Sequence, residues 1–238
     1  MPADMERLLE LAAEVTGQDL DAVRAKAADK EVYTRRQYEA FKAAGRSDDE
    51  FYAETDAYVH ELINWDTDPD KAALARRCGA LLPHSLPVLD FGCGVGTVLD
   101  AFHGAGFRSL EGVDLNRYNR AFTEARFRGA PGLGVRILRD LGEASNGQGI
   151  VVCLHVLEHV PDPASTLRQL RSKLLPGGLL LSVAPFSLVG PDFPEHRLEL
   201  KDLRLQDLVV EAGLKLAEVV PFGSFKGHGF ELVVARNP

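Results

Sequence analysis

The densest chemistry in the chain lies at Gly92, Gly94 and Gly96, three glycines at alternate positions behind the short run Pro87-Val88-Leu89-Asp90. Thr97 to Phe102 follows with the apolar spacing of a helix start. A strand that breaks into a glycine turn and then a helix is suited to a nucleotide. Glycine permits positive φ and close ligand approach, and a helix N-terminus presents unpaired N–H groups. A nucleoside-containing ligand is expected here. Downstream stand further groups that bind or move protons: Asp114, Asp140 and the histidines His155, His159 and His196. Histidine titrates near neutrality, so each suits either proton transfer or the ordering of a loop. Cys78, Cys93 and Cys153 form no Cys-x-x-Cys pair, so neither a zinc knuckle nor a disulfide framework is signalled, and no metal site is expected.

These residues need elements to position them. Residues 1 to about 82 carry almost no strand signal. Met5, Leu8, Leu9, Ala12 and Val15 recur at helical intervals up to Gly17, and Asp19 opens a shorter helix through Val23 and Ala27. A third runs from about Glu31 to Ala44 and stops at Gly45. Ser47-Asp-Asp-Glu50 has the form of a capping box and predicts one helix to near Trp65. Asp68-Pro69, a cap followed by proline, starts a fifth to Leu82. From Ser85 the pattern alternates. Strands are expected at 87–90, 109–114, 134–138, 149–155, 178–184, 214–221 and 229–235, with helices at about 97–105, 117–128, 163–175 and 202–212. Asn116 and Asp162-Pro163 start two of these helices, and Pro176-Gly-Gly178 is expected to end the third. The last two strands are joined too closely for a parallel crossover and should pair antiparallel. The fold class is therefore α/β: a doubly wound, seven-stranded, mainly parallel sheet with a final antiparallel hairpin, plus an N-terminal helical cap. The division expected is a cap or lid over 1–82 and an α/β domain over 83–238.

Composition narrows the class of partner. A formal charge of −8 opposes general nucleic-acid binding, which needs a basic patch. No apolar run approaches membrane-spanning length and the N-terminus has no signal-peptide pattern, so a cytoplasmic enzyme acting on a small molecule, with no membrane partner, is expected.

Four segments in register resemble class I S-adenosylmethionine-dependent methyltransferases, in particular the subgroup around ubiquinone biosynthesis. Val88-Leu-Asp-Phe-Gly-Cys-Gly-Val-Gly-Thr97 is similar to their first motif and Gly112-Val-Asp-Leu-Asn116 to the acidic end of their second strand. Leu154-His-Val-Leu-Glu-His-Val160 with Pro161-Asp-Pro163 resembles the fourth-strand motif, and Leu174-Leu-Pro-Gly-Gly178 the turn before the fifth strand. The resemblance covers residues 85 to 238. It implies S-adenosylmethionine as cofactor and methyl transfer to an oxygen, nitrogen or carbon acceptor. The family's usual Trp-Thr before the next helix is replaced by Leu200-Lys201.

On that resemblance, Gly92, Cys93, Gly94 and Gly96 pack against the methionine and ribose of the cofactor. Asp90 positions the methionyl end, or else ties down the N–H groups of the turn. Asp114 and the neighbouring Leu115 would meet the ribose, Asp140 the adenine amino group, and Leu141 the ring. Leu154 and His155 would offer backbone carbonyls to the ammonium group. His155 and His159 lie nearest the methyl group, and His196 is the preferred general base if one is needed. Glu158 is expected to anchor its loop by hydrogen bonds. The segment from Pro185 to Arg197 either covers the acceptor, with Phe186, Phe193 and His196 in the pocket, or packs on the N-terminal helices. Tyr58 and Trp65 are further pocket candidates on an aromatic face that equally suits core, lid or homodimer contact.

Two rivals remain. A dinucleotide oxidoreductase would carry Gly-x-Gly-x-x-Gly, but Thr97 stands at the third glycine. Tyr38-Glu-Ala-Phe-Lys42 has the Tyr-x-x-x-Lys spacing of short-chain dehydrogenases, yet precedes the first strand and reads as a helix face. A non-catalytic S-adenosylmethionine-binding protein is the other rival.

Overall fold

The computed structural model describes residues 3–66, 69–130, 134–190, 193–225 and 227–238. The sheet runs β1 Val88–Phe91, β2 Ser109–Val113, β3 Gly134–Leu138, β4 Gln148–Leu154, β5 Leu174–Val183, β6 Lys215–Phe225 and β7 His228–Arg236. Its order is β3-β2-β1-β4-β5-β7-β6, with β7 antiparallel to both neighbours. The order reverses between β1 and β4, so their C-terminal ends open the crevice where α/β sheets bind ligands.

Before β1 lie α1 Ala3–Thr16, α2 Leu20–Ala28, α3 Lys30–Ala43, α4 Asp48–Glu54, α5 Ala57–Leu62, a 3-10 turn Ile63–Trp65, and α6 Pro69–Leu81. Between strands run α7 Thr97–Gly104, α8 Arg117–Arg126, α9 Pro163–Lys173 and α10 Leu205–Glu211. Both faces of the sheet are covered. Leu167 and Leu170 of α9 pack with Leu205 and Leu208 of α10 on one face; Leu74 and Cys78 of α6 pack with Val98, Leu99 and Phe102 of α7 on the other. A third cluster joins the N-terminal helices to the α/β unit through Leu8, Val23, Val59 and Ile63 against Val95 and Phe122.

Three expectations are corrected. The helix expected from Ser47 to Trp65 breaks after Glu54, where Thr55 is extended (φ −70°, ψ 140°). Asn116 accounts for the break. Its amide donates to the carbonyls of Tyr52 and Thr55 (2.7 and 2.8 Å), while its Oδ1 caps α8 by accepting from the Tyr118 and Asn119 amides. The capping box at Ser47 forms as expected. Pro176-Gly-Gly178 does not end α9: the helix stops at Lys173, and Leu174 already pairs with Gln148, so the turn lies inside β5. The helix expected from 202 starts at Leu205, after a 3-10 turn over Leu198–Leu200. The proposed cap Asp68 lies outside the described residues.

Candidate active site

The glycine turn hangs from the end of β2. Gly92 and Cys93 amides both donate to the Val113 carbonyl (2.7 and 3.0 Å), and the Gly94 amide donates to Asp114 Oδ2 at 2.8 Å. Gly92 has φ +77° and Gly94 φ +53°, and a Cβ at either would stand 2.2 Å from Val156 Cγ2 or 2.8 Å from Leu62 Cδ1. Glycine is therefore demanded twice over, by backbone and by space. Gly96, also at positive φ, caps α7.

Asp90 sits under this turn, 2% exposed, and its Oδ2 has no hydrogen-bond partner. Burial pushes its carboxyl up to about 7; Lys71 pulls it back and Asp114 adds to the rise. The turn's amides go to Val113 and Asp114, so tying down the turn belongs to Asp114 and not to Asp90. Asp114 Oδ1 also accepts from the Asn116 amide at 2.8 Å and from Asn119 Nδ2 at 3.4 Å. Its Oδ2 keeps one lone-pair direction for a ligand. Burial raises the Asp114 carboxyl against the pull of these bonds.

Asp90, Gly92 to Val95 and Asp114 line one cavity of about 610 Å³, within the range of small-molecule sites. Leu115, Asp140, Leu141, Leu154 and His155 line it too. Asp140 is exposed and makes no capping bond, whereas Leu141 is 7% exposed and turns its side chain inward. His155 follows β4 with φ 56°, the one non-glycine positive φ among the described residues. Its amide donates to the Val183 carbonyl at 2.9 Å, and its ring meets Phe230 edge to face at 4.8 Å.

The other wall comes from the N-terminal helices and the loop after β5. Tyr58, Trp65, Phe193, His159 and His196 all line the cavity. The rings of His159 and His196 lie 4.8 Å apart, edge to face. His159 Nδ1 is 2.8 Å from Tyr52 Oη, which donates to the Glu195 carbonyl at 3.1 Å. Nδ1 of His196 is 2.5 Å from the Leu188 carbonyl. Burial lowers both imidazoles, His159 to about 4.

Two side chains depart from expectation. Phe186 is 3% exposed, packs into the core beneath the sheet and is not among the cavity-lining residues. Glu158 makes no anchoring side-chain hydrogen bond; its loop is held by its backbone carbonyl, which accepts from the Arg197 amide, and by Arg197 Nε on the His159 carbonyl at 2.7 Å. Tyr38 and Lys42 share Asp48 Oδ1 at 3.1 and 3.0 Å, a helix-face arrangement. Other lining residues passed unmarked in the sequence. Leu62, Lys71, Glu195 and Tyr52 belong to no motif.

A family model described as a methyltransferase domain matches residues 66–212. The ubiquinone biosynthesis O-methyltransferase of Bordetella avium is 37% identical over 98 residues, 38% of this chain and 39% of that protein. The chain thus matches only about two fifths of the length of such relatives. Among solved structures, the [4+2]-cyclase SpnF superposes with a TM-score of 0.57 at 16% identity, over 71% of this chain and 80% of its own. Magnesium protoporphyrin IX methyltransferase of Synechocystis PCC 6803, with bound SAH, gives 0.54 at 19% identity over 75% and 88%. At these identities the likeness is one of fold.

Proposed function

The chain belongs to the methyltransferase-domain family, and from that premise we propose that it transfers the methyl group of S-adenosylmethionine to a small-molecule acceptor. The observation that carries the proposal is the buried Asp90 carboxylate, with an unpartnered oxygen beside a turn that has no room for side chains. An unpaired buried acceptor is costly unless a ligand donor meets it. The ammonium of the cofactor's methionyl group is such a donor.

In this reading Asp90 and the carbonyls of Leu154 and His155 hold the methionyl end. Gly92, Cys93, Gly94 and Gly96 give the backbone surface on which it lies. Asp114, with Leu115 beside it, takes the ribose, and Asp140 and Leu141 take the adenine. The bound cofactor supplies a methyl carbon already activated by a sulfonium. The chain has to align an acceptor with it and exclude water, which in well-oriented cases supplies as much as ~7–11 kcal/mol. The acceptor's lone pair would form the new bond to carbon, leaving the carbon–sulfur electron pair on sulfur as a neutral thioether. A hydroxyl acceptor must therefore lose its proton, whereas an amine can keep it as an ammonium. His159 and His196 are uncharged at neutral pH because burial lowers both. With Nδ1 turned to the Leu188 carbonyl, His196 keeps Nε2 as the basic nitrogen, and it is the preferred proton acceptor. Tyr58, Trp65 and Phe193 shape the acceptor side.

Residues 1–82 would act as the cap over this pocket, and an aromatic face there also suits a homodimer contact. Among the described residues no helix is long and apolar enough to cross a membrane. Calorimetry tests the proposal directly. The protein should bind S-adenosylmethionine or S-adenosylhomocysteine, and Asp114→Ala should weaken binding at least ~tenfold through loss of charge-assisted hydrogen bonds. Absence of binding to either compound would overturn the assignment. A nicotinamide dinucleotide raising the melting temperature instead would favour the oxidoreductase.

A further inference from the structure

Glu158 is 1% exposed, and neither of its carboxylate oxygens has a hydrogen-bond partner. His155 Nδ1 stands 3.5 Å from Oε1, an ion-pair separation at the outer limit of hydrogen bonding. A buried carboxylate left in this state is costly and calls for a cation or a donor. Two histidines stand beside it: one ligand atom each from Glu158, His159 and His196 lies within 4.8 Å of the other two. The three residues come from two loops, the turn after β4 and the segment after β5, and all three line the cavity.

The outer partners of the histidines are those that metal-binding imidazoles use. A ligating histidine commits its other ring nitrogen to a carbonyl, carboxylate or water, which fixes the tautomer and orients the ring. Here Nδ1 of His196 faces the Leu188 carbonyl at 2.5 Å, and Nδ1 of His159 faces Tyr52 Oη at 2.8 Å and the Glu195 carbonyl at 3.4 Å. Each ring is left with Nε2 as a lone pair. Two imidazoles and one carboxylate are a donor set for a borderline divalent cation and fill three positions of a tetrahedral shell.

We propose that Glu158, His159 and His196 form a binding site for a zinc-like divalent cation, with one coordination position left open to the cavity. Ligand atoms bound at ~2.0–2.2 Å stand ~3.4 Å apart in a tetrahedron, so small side-chain rotations complete the site. This deepens the methyl-transfer reading and rests on it for its role: the open position would take an oxygen or nitrogen of the acceptor and orient it, and with Nε2 of His196 on the cation the metal replaces that histidine's part as proton acceptor by making the bound acceptor more acidic. It also departs from the sequence, where the absence of a Cys-x-x-Cys pair pointed away from any metal.

The test uses the full chain, stripped with a chelator, titrated with Zn²⁺ by calorimetry and with Co²⁺ by visible absorption. One equivalent should bind, with cobalt bands of a low-symmetry site of nitrogen and oxygen ligands. Glu158→Gln, which keeps the shape of the buried side chain, and His196→Gln should each weaken binding by at least ~tenfold. Circular dichroism and S-adenosylhomocysteine binding report whether each variant has folded. Zinc affinity unchanged in both folded variants, or no stoichiometric uptake by the wild type, would overturn the site. A chain that binds S-adenosylhomocysteine but no metal loses only this inference. One that takes up metal at these residues but neither cofactor form loses the methyl-transfer reading and keeps the site.

Discussion

Asp90 carries its carboxyl near 7 in the folded chain, against ~3.9 in an unfolded one, so the fold holds an extra proton between those values. The stability conferred by that proton is complete below about pH 4 and is lost as pH rises through about 7. Asp90→Asn removes the dependence. Its melting temperature should gain on the wild type more at about pH 8 than at about pH 5, as thermal scans would show. The same variant should bind S-adenosylhomocysteine about ten- to a hundredfold more weakly at neutral pH, because the negative charge that strengthens the hydrogen bond to the ligand's ammonium is lost. An equal shift at both pH values would assign the unpartnered oxygen another explanation. Residues of this kind were legible in unequal measure. The glycines and Asp114 were visible because strand, turn and acidic strand end follow one another at short range. Phe186 was misplaced, since a proline-rich loop shows which residues are apolar but not which of them turn down into the core. The isolation of Glu158 depends on groups from another loop, which no local spacing encodes.

At the level of elements, Asn116 does two things at once. Its oxygen caps α8, and its amide nitrogen satisfies two carbonyls freed where α4 ends. Asn116→Asp keeps the cap and replaces the double donor by an oxygen facing two carbonyls. The expected loss is ~2–4 kcal/mol, read from urea titration at pH 7, as follows from stranding buried acceptors. A change under ~0.5 kcal/mol would show that the two carbonyls find other partners. The capping box, the Asp162-Pro163 start and the antiparallel hairpin were legible because each is written in neighbouring residues. The break after Glu54 was not, since its cause lies about sixty residues further on. Thr97 illustrates the same limit. Its type excluded a dinucleotide fingerprint, but its hydroxyl also donates to Asp66 Oδ1 at 2.8 Å, on a carboxylate paired with Arg126. Nothing local announces that bond.

For the molecule as a whole, the α/β half could be read strand by strand to its antiparallel ending, because strands alternating with helices announce a parallel sheet and a short connection forbids a parallel crossover. The cap could be read as helices and no further. Its partners sit on the far side of the glycine turn: Leu62 against Gly94, Tyr52 on His159, Asp66 with Arg126. Such pairings follow from docking and not from periodicity. The half-buried polar knot inside the cap, Asp56 with Lys26 at 3.0 Å and Tyr33 at 2.8 Å, joins cap residues to one another. Burial would raise the Asp56 carboxyl, but the neighbouring His60 at 3.5 Å and bonds from Tyr33, Gln18 and Lys26 outweigh it and hold it low.

The Asn116 clamp also sets an order of events during synthesis. A ribosome delivers the cap first, yet the cap helices reach their Asn116, Val95, Phe122 and Arg126 partners only when those residues have left the exit tunnel. A released fragment of residues 1–82 should therefore be cut by protease at least ~tenfold faster than the same segment in the full chain, its helices lacking the packing that stabilises them. Equal resistance would mean that the cap matures alone. If it does not, the first third of the chain waits, exposed to chaperones and proteases, for the second βα unit to arrive.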